Sequence, residues 1–275
     1  MATTTHETPA VRASRRLSLG LLLLGLLAPL VPLVIWAVAG EWRYPDLLPA
    51  SYSTRPVQFL MSPQSRVVEG LTNSAIIAVS VAMIASAIGA AAGRALGLYG
   101  FRGKRLVQFL LLSPVIVPPV AATLGIHVAF IRLGLANSLT GVTLVHLIPT
   151  IPYVTLVMSS VYANYDRAYE DQARVLGASG WLAFRRVTLP QIFPGLAVAG
   201  LFAFIISWSE YLLTLVIGGG RVQTLPLLLF AFLRGNDNAI GAVLSLAFIA
   251  PALLLLLVTS KYLSGSSTTA GFGKL

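Results

Sequence analysis

Apolar residues in this chain come in long runs separated by short polar stretches, with no strand-like alternation. Six runs, near 17–39, 71–93, 106–130, 139–163, 194–217 and 240–262, are each longer than 20 residues. As helices rising about 1.5 Å per residue, each is long enough to cross the roughly 30 Å hydrocarbon core of a bilayer. The pattern therefore predicts an all-α membrane protein with six transmembrane helices. The membrane domain covers 17–263, with tails at 1–16 and 264–275. The first run follows the bases of "RASRR" and ends in "AVAG", which resembles a signal peptide. Its length exceeds the usual apolar core of roughly 7–15 residues, so a retained helix is expected.

Composition agrees with this pattern. The chain is 56% hydrophobic and 10% charged, whereas a soluble domain carries about 25% charged residues. The net charge of +10 does not point to nucleic acid, because the bases are scattered between apolar runs and form no stripe. Their distribution instead sets orientation. With the N-terminus inside, the inner segments hold 13 lysines and arginines and the outer segments 6. Both termini are thus expected in the cytoplasm. There are no cysteines, which excludes disulfides and thiolate metal sites, and with three histidines no metal site is expected.

Several features interrupt the runs. Pro114, Pro118 and Pro119 fall in the third, Pro149 and Pro152 in the fourth, and Pro251 in the sixth. They mark kinks, or a path that opens and closes. Trp42 and Tyr44 suit the headgroup level. Residues 221–239 hold an apolar run too short to span. It reads as an interfacial or re-entrant helix, capped by Thr224 and ended by Gly235 and Asn236.

The connection at 164–193, expected in the cytoplasm, is long for a simple turn. "DRAYEDQARVLGAS" has helix-forming composition. Asp166 is placed to cap its start, Glu170 and Arg174 form an i, i+4 pair, and Gly180 is expected to end it. Ala173 and Gly177, four apart, predict a small-residue face on which a partner comes close. "WLAFRRVTLP" reads as a second short helix ended by Pro190. Glu210, within the fifth run, is the one acid inside a span and a functional candidate by default. Two roles are open for it: solute contact, together with its neighbours Trp208, Ser209 and Tyr211, or a structural hydrogen bond. His127 and His146 are expected to bond between helices, with His146 also a candidate for the path.

The stretch "EDQARVLGASGWLAFRRVTLPQIFPGL" resembles the EAA motif of ABC importer permeases, with Asp171-Gln172-Ala173 in the place of the Glu-Ala-Ala triplet. Asp171 keeps the acid but shortens it, and Gln172 is larger than alanine. "LTNSAIIAVS", "LLLSPVIVPPV" and "SWSEYLL" also resemble the family's membrane core, so the likeness covers roughly 65–265. The resemblance implies a transmembrane permease subunit of a type I, binding-protein-dependent importer. It would sit as a multi-pass protein in a bacterial or archaeal cytoplasmic membrane. The 164–193 segment would be the coupling helix against a cytoplasmic ATPase, through Glu170, Asp171, Gln172, Ala173, Gly177 and Ala178. Implied partners are the ATPase dimer, a second permease subunit, a solute-binding protein and lipid. ATP and Mg would be bound by the ATPase, leaving this chain without cofactor or enzymatic activity. The tail "GFGKL" lacks the spacing of a phosphate-binding loop.

For the solute, "LVHLIPTIPYVTLVMSS" and "TLPLLLFAF" resemble permeases of the polyamine, phosphonate and iron group. "SWSEYLL" and "TTAGFGKL" resemble sugar permeases. A polyamine-like organic cation is favoured, with sugar as the alternative. An ATP-independent secondary transporter, from a different class, would need a coupling-ion site, and a single intramembrane acid without inverted repeats offers little for one.

Overall fold

The computed structural model describes residues 9–43, 45–235 and 237–263. Tyr44, Asn236 and both tail ends, with the expectations placed on them, lie outside the described residues. The described residues are helical apart from loops and one isolated antiparallel bridge, Ala39 to Tyr52. The helices are α1 (Pro9–Leu27), α2 (Leu30–Ala37), α3 (Arg55–Met61), α4 (Val67–Leu98), α5 (Lys104–Ile116), α6 (Pro119–Arg132) and α7 (Leu139–Ala163). They continue as α8 (Ala168–Val175), α9 (Gly180–Ala183), α10 (Leu189–Trp208), α11 (Leu212–Gly218), α12 (Leu225–Leu233) and α13 (Asn238–Leu263).

Among the described residues, four helical stretches are long and apolar enough to cross a membrane: Val67–Leu98, Leu139–Ala163, Gly180–Trp208 and Asn238–Ser260. The first run is a pair of helices bent by 45°, a further span if counted as one. The third run is not a continuous helix. It breaks into α5 and α6 at Val117 and Pro118, where successive prolines remove backbone donors and push the preceding residue out of the helical region. The fifth is also broken, with α10 ending at Trp208 and α11 starting at Leu212.

The chain forms two compact units. One is Met1–Ser65 with Phe232–Ala247, the other Arg66–Ala231 with Phe248–Leu275. In the larger, α4 and α7 approach closely because α4 carries glycine every fourth residue. A Cβ at Gly89 would lie 2.6 Å from Val154, at Gly93 2.5 Å from Met158 Cβ, and at Gly97 2.6 Å from the Ser159 carbonyl. Such a stripe lets backbones pack where lipid supplies no hydrophobic drive between helices. The register also fixes direction: positions 89, 93 and 97 rise with 154, 158 and 162, so α4 and α7 run parallel. The 13 residues of α5 and 14 of α6, about 40 Å of helix at about 1.5 Å per residue, must therefore return the chain to the end where α4 began. α10 is antiparallel to α7, with Gly195 beside Val161 and Ser207 bonded to His146. Ile77, Val81, Val145, Met158 and Ala203 fill the core between the three helices. Outward residues such as Met83, Phe109, Leu254 and Leu257 are apolar and exposed.

In the smaller unit, Trp36 and Trp42 pack with ring centres 4.7 Å apart and planes tilted by 32°. Arg55 donates to Asp237 at 2.7 Å. Phe59 meets Phe232 edge-on. Trp36, Trp42, Arg55 and Asp237 border a cleft of about 460 Å³.

Residues 221–239 contain the expected short helix, α12, but Thr224 does not cap it with its side chain. The Leu225 N–H donates to Ser74 Oγ of α4 at 2.8 Å, and the buried Thr224 hydroxyl has no hydrogen-bond partner. The cap that local sequence assigned to Thr224 comes from a residue about 150 positions away.

Candidate functional site

The connection between α7 and α10 is ordered by caps at both ends of α8. Asp166 accepts from the Ala168 N–H at 2.9 Å, as its position at the helix start predicts. The helix stops earlier than Gly180. Gly177 has φ +87°, its N–H donates to Arg174 O at 2.9 Å, and the Ala178 N–H donates to Ala173 O at 3.0 Å. This pair of bonds is a Schellman motif, which needs a left-handed residue just past the helix. Gly177 thus ends α8 and does not share a helix face with Ala173. A Cβ there would meet nothing within 4 Å, so backbone conformation is what demands glycine.

Ser179 caps α9, accepting from the Leu182 N–H. The helix then runs on through a π-helical turn, Phe184–Thr188, into α10. Pro190 does not end it. The wider π turn just before the proline accommodates the missing donor inside a continuous 29-residue helix, Gly180–Trp208.

Around α8 the side chains divide sharply. Asp171, Gln172 and Arg174 are exposed, and Ala173 and Ala178 half-buried. Val175, Leu176 and Trp181 are 87%, 86% and 70% exposed. Glu170 is the one buried residue of α8. It does not pair with Arg174. One carboxylate oxygen accepts from Arg94 of α4 at 2.7 Å, and the other from the Thr188 hydroxyl at 2.5 Å. Thr188 in turn accepts from Tyr165 Oη at 3.3 Å, and the Arg94 guanidinium lies 6.0 Å from the centre of the Tyr162 ring. Burial pushes the Glu170 carboxyl up, but the bonds from Thr188 and Arg94 and the Arg94 charge outweigh it and hold it below the ordinary carboxylate value. In the sequence Arg94 registers only as a topology-setting base, and Thr188 and Tyr165 carry no signal of a shared site.

The second cluster lies at the break between α10 and α11. His146 of α7 is buried and reaches both sides of the break, Ser207 at 2.9 Å and Thr214 at 2.9 Å. Thr214 donates to the Glu210 carbonyl. The assignment that satisfies all three has His146 Nε2–H donating to Thr214 and Nδ1 accepting from Ser207. The Glu210 carboxylate accepts from the Leu213 N–H at 2.9 Å, capping the first turn of α11. Trp208 donates to Phe248 O at 2.9 Å. His146, Trp208 and Glu210 come together with Ser74, Ser207, Thr214 and Thr224, leaving no room for a water molecule among them. Ser209 and Tyr211 do not line this cluster: Ser209 bonds back to Ile205 O, and Tyr211 packs on Phe230.

Residues 85–262 match the family described as "Binding-protein-dependent transport system inner membrane component". The chain belongs to that family. This permease is 31% identical over 205 residues to the diacetylchitobiose uptake system permease protein DasC of Streptomyces coelicolor, covering 73% of this chain and 74% of that one. It is 29% identical over 248 residues to the putrescine transport system permease protein PotI of Escherichia coli, covering 85% of each. In fold it is similar to a chain of a bacterial ABC transporter that imports the acidic polysaccharide alginate, with TM-score 0.67 at 17% identity, covering 95% of this chain and 99% of that one. As a permease the chain is an inner-membrane component of a binding-protein-dependent ABC importer, and ATP hydrolysis belongs to a separate subunit.

Proposed function

We propose that this permease forms one half of the translocation path of an ATP-driven importer, and that α8 is its docking helix for the cytoplasmic ATPase. The observation that carries the reading is the exposed tip of α8. Asp171, Gln172, Val175 and Leu176 project from a helix whose single buried residue ties it to the bundle. Exposed aliphatics beside an acid suit a groove on a soluble partner better than water. ATP and Mg are bound by that partner, a second permease completes the path, and a solute-binding protein delivers the solute.

Six crossings are counted as α1 with α2, α4, α5 with α6, α7, α9 through α10, and α13. The α8 end of the larger unit is cytoplasmic. Its two stretches 94–105 and 167–186 carry eight lysines and arginines, whereas the opposite end, at Arg66, Arg132 and Arg221, carries three. The solute is a polyamine-like organic cation, supported by the likeness over 85% of both chains to a putrescine permease. An amino-sugar oligosaccharide is the second reading, favoured by the 31% identity to a diacetylchitobiose permease. Glu210 supports neither, because its carboxylate is engaged in capping α11.

The test is uptake by the complex reconstituted with ATPase, second permease and binding protein. ATP-dependent uptake of labelled putrescine, competed by spermidine and not by diacetylchitobiose, is the expected result. Transport by this chain alone without ATP sinks the importer reading, and ATP-dependent uptake of labelled diacetylchitobiose without uptake of putrescine transfers the assignment to the sugar.

A further inference from the structure

A helix of eight residues is too short to hold its shape alone in water. α8 keeps its place through its caps and one buried side chain. Apart from the half-buried Ala173, its other side chains are exposed. A displacement imposed on α8 reaches α7 and α9 through the chain itself, and it reaches the end of α4 and the π turn before α10 through the side-chain bonds of Glu170. The carboxylate is bonded on one side to Arg94, four residues before the end of α4, and on the other to Thr188, the last residue of the π turn that leads into α10. These bonds are charge-assisted and short, and Glu170 is only 3% exposed. Such bonds are among the stiffest that side chains make. The donors have few alternatives: Arg94 is backed by the Tyr162 ring, and Thr188 receives the Tyr165 hydroxyl.

We propose that Glu170 is a positioning residue, the joint through which α8 drives the ends of α4 and α10, and that it makes no contact with the ATPase. This inference rests on α8 being the ATPase-docking helix. It assigns the two neighbouring acids opposite duties. Asp171 faces outward to the partner, while Glu170 faces inward and makes α8, the end of α4 and the start of α10 move as one body.

The chain has no cysteine, so a single introduced pair gives a clean distance readout. Tyr169→Cys on α8, away from the docking tip, and Phe101→Cys in the loop after α4, both exposed, carry spin labels in the full reconstituted complex. Their distance is compared between nucleotide-free and ATP-locked states. With Glu170 intact it is expected to stay constant. With Glu170→Gln it should broaden and change between states, and uptake per ATP hydrolysed should fall at least fivefold while the ATPase still co-purifies. Thr188→Val, which removes one bond, should show the same loosening to a lesser degree and serves if Glu170→Gln assembles poorly. Exchanging the charges, Glu170→Arg with Arg94→Glu, should recover part of the lost coupling, a result that a loss of packing alone does not produce. The joint is overturned if Glu170→Gln leaves the distance and uptake per ATP unchanged, or if it releases the ATPase as a contact residue would. An unaltered complex that binds no ATPase at all would instead overturn the docking reading.

Discussion

Gly177 and Glu170 show how one side chain, or the lack of one, decides what a short helix does. Gly177 sits at φ +87° with open space where a Cβ would be. A left-handed conformation costs an ordinary L-residue about 1–2 kcal/mol, and asparagine tolerates it better than alanine. Gly177→Asn should therefore retain more uptake and ATPase association than Gly177→Ala, although asparagine is the larger residue. The opposite order, measured in the reconstituted complex, would mean that smallness at the partner interface is what matters. For Glu170 the folded carboxyl lies below its ordinary value, so the unfolded chain binds the proton more tightly. The stabilisation is then fully present above the ordinary carboxylate value and is lost as pH falls through the lowered folded value. Thermal unfolding of detergent-purified permease should show a deficit in Glu170→Gln at neutral pH that narrows only in acid. A deficit independent of pH down to that range contradicts an ionised Glu170.

At the scale of elements, breaks and close contacts define the bundle. α5 and α6 separate at successive prolines, and α10 and α11 at Ser209 to Tyr211. His146 spans the second break by bonding both flanking helices. The α4–α7 contact depends on the glycine stripe. Gly93→Leu would drive a side chain into Met158 and the backbone beside it, an overpacking cost of about 3 kcal/mol or more. Gly100→Leu meets open space and should leave folding unchanged. Yield and monodispersity after membrane extraction measure both, and equal behaviour of the two variants would refute the close-packed contact.

At the scale of the whole molecule, the directions of α4, α7 and α10 and the bias of basic residues lead to one prediction about sidedness. Val175→Cys should react with a membrane-impermeant thiol reagent in inside-out vesicles, and Arg221→Cys in right-side-out vesicles. The reverse labelling pattern would invert the proposed topology.

The apolar runs determined that the chain is helical and membrane-bound, because length and hydropathy along a segment are properties of that segment alone. The motif around Gly177 pointed to the importer family for the same reason, since its spacing is local. Asp166 at the start of α8 was legible because a cap reaches only a few residues. The partners of Glu170 were not, since Arg94 is 76 residues away in sequence and an i, i+4 arginine offered itself locally. The cap of α12 passed from Thr224 to Ser74, and Glu210 became a helix cap at a break, for a related reason. A buried polar group takes whichever partner the packed bundle brings within about 3 Å. The sequence by itself determined the apolar runs, their charge bias and the family. Which buried polar groups meet, and therefore how α8 is tied to the bundle, was decided only by the parallel packing of α4 and α7 and the return of α10 against them.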